Sequence, residues 1–230
     1  MFVLDKSGSV RSAQPELLAF ARDMVSQFTV DSNGGAQIGI VEFSSDAATL
    51  TPLTGSLNAV WAAIDSASPA GGGTSVSDGL ALALSVITGP AARADVPRTI
   101  LLLTDGIQTV DGNDNTAIAQ AAVVKAAGVS IMAVGFGGAR ESTMRAIASA
   151  PSSDWAFFGA SIDEVREHFT ESSLCELTLA PKAPPPPTSP PVAPAHPSPP
   201  PSPPSPPAPP PTPPPCVAEL ELVFVLDKSG

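Results

Sequence analysis

The same seven residues open and close this chain. Phe2 to Gly8 and Phe224 to Gly230 both read Phe-Val-Leu-Asp-Lys-Ser-Gly. Self-similarity at a fixed spacing is typical of repeat architectures, so we interpret the chain as one period of a tandem array. The repeated segment is an apolar strand that runs into Asp-x-Ser-x-Ser, which is complete at Asp5, Ser7 and Ser9. The chain therefore has to fold around a strand with oxygen-rich side chains at its end.

Proline divides the chain into three segments. Residues 181–215 hold 22 of the 28 prolines and a single charged side chain, Lys182. Residues 1–180 alternate apolar runs with polar turns, and residues 216–230 return to that chemistry. The segment over residues 1–180 is long enough to bury one good core. We predict a domain over residues 1–180, a linker over 181–215, and the start of a second repeat over 216–230.

The net charge of −11 restricts the kinds of partner. Nucleic-acid binding depends on neutralising phosphates with Lys and Arg, so the charge argues against it and against anionic membrane surfaces. It suits a cation, although an acidic surface also simply keeps a secreted protein soluble. No apolar run approaches the ~18–20 residues that span a bilayer. No signal peptide precedes the first strand in this chain.

Strands and helices alternate along residues 1–180. Strands apolar on both faces are predicted over 36–43, 99–103 and 129–134, and helical patterns fall between them. The first helix is expected over 15–30, and 47–50 is expected to pair with the strand over 36–43. This pattern predicts an α/β fold with a doubly wound, mostly parallel sheet covered by helices on both faces. Such sheets bind ligands at the carboxyl ends of their strands.

Three predicted loops bring oxygen ligands to that edge of the sheet. Asp5-Lys6-Ser7-Gly8-Ser9 follows the first strand, Thr104-Asp105-Gly106 follows the strand over 99–103, and Gly71-Gly72-Gly73-Thr74 precedes a helix. Gly8 and Gly71 to Gly73 are expected to supply the unusual backbone angles that such loops need. Carboxylate and hydroxyl oxygens suit Mg²⁺, Mn²⁺ or Ca²⁺ better than zinc, which prefers nitrogen and sulfur.

Taken together and in order, these motifs resemble the von Willebrand factor A domain family. The resemblance covers about residues 1–174 and extends to Ile-Gly-Ile-Val-Glu-Phe-Ser at 38–44 and Gly-Val-Ser-Ile-Met-Ala-Val-Gly at 128–135. It implies a metal-ion-dependent adhesion site formed by Asp5, Ser7, Ser9, Thr74 and Asp105. In that family the hydroxyls bind the metal directly, the carboxylates bind it directly or through water, and a carboxylate of the partner fills the open position.

Other interpretations of these residues are open at this point. Asp5 and Asp105 could be helix caps or loop solubilisers. Thr74 could merely cap the next helix, with Ser75 as the ligand, or Ser75 could itself cap that helix together with Asp78.

The resemblance also exposes a departure from the family. The family's first strand is longer than Met1–Leu4, and the second copy carries the additional residues Leu220–Val223. We therefore expect reduced stability, because buried apolar side chains would be missing. We also expect that residues 219–226 could displace Met1–Leu4 in another chain, giving strand-swapped self-association.

The linker composition predicts an extended spacer. Pro-rich runs favour polyproline II, and 35 residues at ~3.1 Å each would reach roughly 100 Å. The Ser-Pro-Pro runs resemble hydroxyproline-rich, glycosylated segments of plant and green-algal matrix proteins; a docking strip for proline-reading domains is the alternative. Cys175 and Cys216 flank the linker. Each could pair with a cysteine of a neighbouring repeat, they could pair with each other, or they could be free thiols.

The function expected from these observations is an extracellular adhesion or recognition module, in a cell wall or matrix, that binds a protein or glycan carboxylate through a divalent cation. An enzyme is not expected, because His168 and His196 are the only histidines and neither lies in a predicted site loop. A phosphate-binding Gly-x-x-x-x-Gly-Lys loop is also missing from the sequence. The alternatives are a structural spacer with an unused metal site and, with less support, a metal-dependent hydrolase.

Overall fold

The computed structural model describes residues 1–171 and 220–228. The predicted linker over 181–215 and both cysteines, Cys175 and Cys216, lie outside these residues. The predictions about the linker and the disulfides therefore stay predictions.

One mostly parallel sheet runs through the described residues. Its strands are β1 (Phe2–Asp5), β2 (Ala36–Ser44), β3 (Ala47–Thr54), β4 (Arg98–Thr104), β5 (Ser130–Phe136), β6 (Ala156–Gly159) and β7 (Leu220–Lys228). The spatial order is β3-β2-β1-β7-β4-β5-β6. β3 runs antiparallel to β2, and the other neighbouring pairs are parallel. Every residue of β4 and β5 after the first is buried, as expected for strands covered on both faces.

Helices cover this sheet in two groups. They are α1 (Gln14–Ser26), α2 (Leu57–Asp65), α3 (Val76–Ile87), α4 (Asp114–Ala126), α5 (Glu141–Ile147), α6 (Ser152–Trp155) and α7 (Ile162–Glu171). α1 packs against α2 and α7, whereas α4 packs against α3 and α5. The doubly wound α/β fold is therefore confirmed. In the part of the chain that the structure describes, none of the helices has the length and apolarity to cross a bilayer.

Two predicted boundaries differ from the structure by four residues, because of backbone pairing, and the other strand ends differ by one or two. The first helix was expected to continue to Val30 but ends at Ser26. The next residues turn instead into β2, where the Ala36 N–H donates to the Thr29 carbonyl at 2.8 Å. The strand expected over 47–50 continues to Thr54, because β2 offers it a longer antiparallel edge.

Strand β7 shares neighbours with β1 in the middle of the sheet. β1 begins beside β2 at the pair Phe2 and Ile40. β7 lies farther back along β2, where Leu220 is opposite Ala36. The segment expected to begin a second repeat thus lies in the same sheet as its first copy. That it begins a repeat along a longer array stays a prediction.

A buried ion pair anchors the loop after β1. The Lys6 side chain is 1% exposed, and its Nζ lies 3.1 Å from Oε2 of Glu42, which is itself 2% exposed. Ser68 donates to the same carboxylate from its backbone N–H at 3.0 Å and its hydroxyl at 2.8 Å. Burial raises the pKa of Glu42, but the hydrogen bonds from Ser68 and Lys6 outweigh it and hold that pKa below its ordinary value. The Lys6 carbonyl also accepts from the Gly71 N–H at 2.8 Å, which ties two site loops together.

Replacing Lys6 by Met should lower the free energy of unfolding at pH 7 by about 3–5 kcal/mol, because the Glu42 carboxylate stays buried without its ammonium partner. The Glu42 contribution is present above its unfolded pKa and is lost as the pH falls through its lowered folded pKa. The difference between wild type and Lys6→Met should therefore shrink in acid. Urea unfolding at pH 7 and at pH 4 measures this.

The matched control is the double variant Lys6→Met with Glu42→Gln, which removes both charges and keeps an acceptor for Ser68. It should recover most of the loss. A loss in Lys6→Met that is equal at both pH values would contradict this account of the ion pair.

Candidate metal centre

The Asp5 carboxylate, at the end of β1, is fully buried. Its Oδ1 accepts the Ser7 backbone N–H at 2.6 Å, which closes a tight turn directly after the strand. A 3₁₀ turn over Ser9–Ser12 then follows, in which the Val10 N–H donates to the Ser7 carbonyl at 3.1 Å. This folding brings the Ser9 hydroxyl back to the strand end beside that of Ser7, with 2.5 Å between the two oxygens.

The end of β4 meets the end of β1 through the second oxygen of Asp5. The Thr104 hydroxyl donates to Asp5 Oδ2 at 2.6 Å, and the Asp105 backbone N–H donates to the same oxygen at 3.2 Å. Both strands are parallel members of one sheet, so their carboxyl ends meet at one edge. The two sequence-distant carboxylates are thereby held side by side.

Both serines of the first loop face the second carboxylate. The hydroxyl of Ser7 donates to Asp105 Oδ1 at 3.1 Å, and that of Ser9 donates to the same atom at 2.8 Å. Ser7 is 3% exposed, whereas Ser9 lies at the surface. The site is therefore buried on the side of Ser7 and open to solvent on the side of Ser9.

The Gly-rich loop brings Thr74 to the same place. A Cβ on Gly106 would lie 3.4 Å from the Thr74 hydroxyl oxygen and 3.5 Å from Asp5 Oδ2, so both oxygens border the space beside Gly106. The Thr74 N–H donates to the Thr109 hydroxyl at 2.8 Å, which positions its backbone. Of the glycines expected to need unusual angles, Gly72 has a positive φ of 100°. Gly8 lies in the right-handed helical region, so that expectation was wrong for it.

Ser75 points away from the site into a separate polar cluster. It is fully buried, and its hydroxyl lies 3.3 Å from that of Ser77 and accepts from Gln108 Nε2 at 3.4 Å. Ser75 is the N-cap residue of α3, as predicted, but its side chain makes no cap hydrogen bond to the helix. Of the two neighbours, Thr74 is the one that borders Asp5.

Ion pairs do not offset the charge of the two carboxylates within the described residues. Neither Asp5 nor Asp105 takes part in an ion pair there, and the adjacent Lys6 is held by Glu42. Burial, and then the charge of Asp5, raise the pKa of Asp105 to about 7, and the hydrogen bonds from Ser9 and Ser7 oppose this only in part. A cation placed between these two carboxylates would offset both the burial and the like charge.

The donor set fits a hard divalent ion. Two carboxylates and the hydroxyls of Ser7, Ser9 and Thr74 are oxygen ligands of the kind that Mg²⁺, Mn²⁺ and Ca²⁺ take. Over residues 1–171 and 220–228, no group of three or more His, Cys, Asp and Glu side chains comes together as a metal site. A cation at this edge would thus depend on hydroxyls for much of its coordination.

The sequence reasoning missed two residues that shape the site. Thr104 was assigned to the loop, but its hydrogen bond to Asp5 was not foreseen. Gln108 donates from its Nε2 to the hydroxyls of Ser75 and Ser77, at the start of the helix that follows Thr74. Neither residue stands in a pattern that could have revealed its role, since each acts on a partner more than 30 positions away.

Comparison with known proteins identifies the family of the domain. The model of the von Willebrand factor type A domain matches residues 1–171. A UPF0353 protein of Mycolicibacterium paratuberculosis is 30% identical over 188 residues, which are 77% of this chain and 52% of that protein. The chain therefore spans about half the length of this curated relative.

Solved structures show the same fold. Proximal thread matrix protein 1 of the mussel byssus, with a zinc-occupied MIDAS motif, is 28% identical with a TM-score of 0.65, over 78% of this chain and 44% of the other. The pilus adhesin SpaC of Lactobacillus rhamnosus GG, at 15% identity and a TM-score of 0.62, shares the fold over 76% of this chain and 29% of its own. The chain belongs to the von Willebrand factor type A domain family.

Metal-free protein should lose stability as the pH rises from about 4 to about 7. Asp105 then keeps in the folded state a proton that it releases on unfolding, since its folded pKa lies near 7 and its ordinary value is 3.8. Asp105→Asn removes this titration. In EDTA, the melting temperature of the variant minus that of wild type should therefore be higher at pH 8 than at pH 5, by at least about 3 °C, since 1 kcal/mol corresponds to about 2–4 °C. Thermal unfolding by circular dichroism measures it.

Asp154→Asn is the matched control, because Asp154 is exposed and precedes β6 at the opposite edge of the sheet. It should follow the wild-type pH profile. Identical profiles for wild type and Asp105→Asn would show that the Asp105 proton does not influence folding.

Proposed function

We propose that this chain is a metal-dependent recognition or adhesion module. The observation that carries the proposal is the pair of adjacent carboxylates, Asp5 and Asp105, without a cationic partner among the described residues and bordered by three hydroxyls. Asp5, Ser7, Ser9, Thr74 and Asp105 would hold the ion. The bound ion supplies a positive charge with an open position, to which an anionic group of a partner can bind.

The proposed partner is a protein or glycan that presents a carboxylate. The chain itself is acidic, with a net charge of −11, so an acidic partner is otherwise repelled. A cation at the open side near Ser9 reverses the sign of the field locally. Partner binding would therefore require metal and weaken when metal is removed.

A groove beside the site offers contact area for such a partner. A cavity of about 340 Å³ is bordered by Ser9 and Asp105 and continues over Ala13, Phe136 and Ile162. The acidic side chains of Glu16 and Asp163 stand at its border. A partner that places its carboxylate on the ion would lay the neighbouring residues along this mixed surface.

The oxygen-only donor set favours Mg²⁺, with Mn²⁺ and Ca²⁺ as alternatives. The mussel relative carries zinc in its MIDAS motif, so zinc belongs among the ions tested. The choice among these ions depends on how closely the hydroxyl oxygens can approach the metal.

An extracellular location, in a cell wall or matrix, agrees with the nature of two relatives, a byssus matrix protein and a pilus adhesin. The Pro-rich segment 181–215 would act as a stiff spacer between domains of a tandem array, modified like hydroxyproline-rich matrix segments. The alternatives are a spacer protein with an unused metal site and a metal-dependent hydrolase.

Thermal unfolding with each of Mg²⁺, Mn²⁺, Ca²⁺ and Zn²⁺ against EDTA tests the site. An ion that binds only the folded state stabilises it by about 2.7 kcal/mol at one hundred times its dissociation constant, which corresponds to roughly 5–10 °C. Asp105→Ala should abolish the shift, and Asp154→Ala should keep it.

Repeating the experiment with added acetate distinguishes the alternatives. A larger metal-dependent shift with acetate supports carboxylate recognition. A folded chain that shows no shift, with or without acetate, overturns the metal site and favours the spacer. Metal-dependent turnover of a phosphoester that is lost in Asp105→Ala would favour the hydrolase.

A further inference from the structure

The cavity of about 340 Å³ beside the metal centre is lined by the starts of two helices, α1 at Ala13 and Glu16 and α7 at Ile162 and Asp163. We call it the α1–α7 groove. It begins directly at the metal centre, because Gly137 also lines it and a Cβ at Gly137 would lie 3.7 Å from the Cβ of Asp105. A partner segment bound at the metal centre would therefore continue into this groove.

The charged side chains that line the α1–α7 groove are all acidic. They are Glu16, Asp105 and Asp163, and none of the described residues around the cavity is a lysine, an arginine or a histidine. A divalent ion would offset the charges of Asp5 and Asp105 but would leave those of Glu16 and Asp163. A partner's carboxylate on the ion would add one more negative charge nearby. The groove therefore favours a partner that brings a positive charge together with its carboxylate.

The protein itself neutralises these two remaining carboxylates only in part. Asp163 lies 3.6 Å from Nη1 of Arg166, but the same guanidinium also lies 3.4 Å from Oδ2 of Asp23. Glu16 takes part in none of the ion pairs found among the described residues. Because Glu16 stands in the first turn of α1, it also stabilises that helix through the macrodipole, and an experiment has to separate this effect from partner binding.

Apolar side chains also line the α1–α7 groove. Phe136 and Ile162 contribute to its surface together with Ala13. Lysine and arginine have long apolar stems below their charged ends, so they can lay the stem along such a surface while the charge reaches an acidic border. A sugar acid has no comparable stem that ends in a cation. The groove thus fits a segment of protein better than a glycan.

Hydrogen bonds hold both walls of the groove in place. At the start of α1, the Gln14 Nε2 donates to the Ser68 carbonyl at 2.8 Å, and the Ala70 N–H donates to Gln14 Oε1 at 3.2 Å. Just before α7, the Ala160 N–H donates to Glu164 Oε2 at 2.6 Å. A groove that is already ordered costs a partner less free energy of ordering on binding.

We propose that the partner segment is a short stretch of protein chain with an Asp or Glu that binds the ion and a Lys or Arg close to it in sequence. The basic side chain lies in the α1–α7 groove against Glu16 and Asp163. This inference rests on the proposed function, because the carboxylate on the metal is what places the segment. It narrows the partner from any carboxylate to a carboxylate with a neighbouring cation.

Matched peptides test the proposal. Each fluorescein-labelled glycine peptide carries one Asp and one Lys, separated by different numbers of glycines, and its counterpart carries Nε-acetyl-lysine, which keeps the stem and loses the charge. Binding is measured by fluorescence anisotropy with Mg²⁺ or Mn²⁺ and with EDTA. With metal and at the best spacing, the Lys peptide should bind at least about threefold more tightly, since one exposed ion pair contributes up to about fivefold. Salt at about 1 M should remove most of this preference.

A double variant assigns the preference to the groove. Glu16→Gln together with Asp163→Asn should abolish the preference for Lys over acetyl-lysine. The matched control is Asp154→Asn together with Glu167→Gln, which removes the same charge from exposed positions outside the groove and should keep the preference. A weaker macrodipole interaction in α1 lowers the melting temperature but does not change the ratio between two peptides. A preference that persists without Glu16 and Asp163 contradicts the assignment.

The same peptides separate this inference from the proposed function. Metal-dependent binding that needs the Asp but is equal for Lys and acetyl-lysine at every spacing overturns the inference and leaves the proposed function standing. If the metal raises the melting temperature but no Asp peptide binds, carboxylate recognition fails and this inference fails with it. A hyaluronan tetrasaccharide carries carboxylates and no cation. If it binds more tightly than every Lys peptide, the partner is not the protein segment proposed.

Discussion

The Asp5 carboxylate is the contact on which the site depends. One of its oxygens closes the turn after β1 through the Ser7 N–H, and the other accepts from the Thr104 hydroxyl and the Asp105 N–H. A single buried group thus joins the ends of β1 and β4. These bonds hold Asp105 beside Asp5. The negative charge of Asp5 therefore adds to burial in raising the pKa of Asp105. The same bonds that order the loops therefore hold two acidic groups side by side, where a cation would offset their charge.

The neighbouring Lys6 shows why the protein does not supply that cation itself. Its ammonium group is held 3.1 Å from Glu42, and Ser68 satisfies that carboxylate further. The positive charge closest in sequence to Asp5 is consequently fixed in another ion pair. This ion pair anchors the loop after β1 in the core.

The candidate metal centre and the buried side chain of Glu221 lie at opposite ends of the same sheet. Asp5 and Asp105 follow β1 and β4, whereas Glu221 contacts Arg98 at the beginning of β4. Parallel strands make this separation possible, because all their carboxyl ends collect at one edge and their amino ends at the other. The contacts of Glu221 therefore lie away from the carboxylates that would hold an ion.

The sequence by itself determined the features that depend on local pattern and residue type. Apolar runs with helices between them define the parallel sheet, and the order of the three loops places Asp5, Ser7, Ser9, Thr74 and Asp105 at its edge. Tertiary structure decided the contacts between distant positions. The bond of Thr104 to Asp5, the turn of Ser75 toward Gln108 and the place of β7 beside β1 join residues that only the fold brings together. The distances between these residues, and hence the raised pKa of Asp105, arise from packing. They produce no periodic pattern in the sequence.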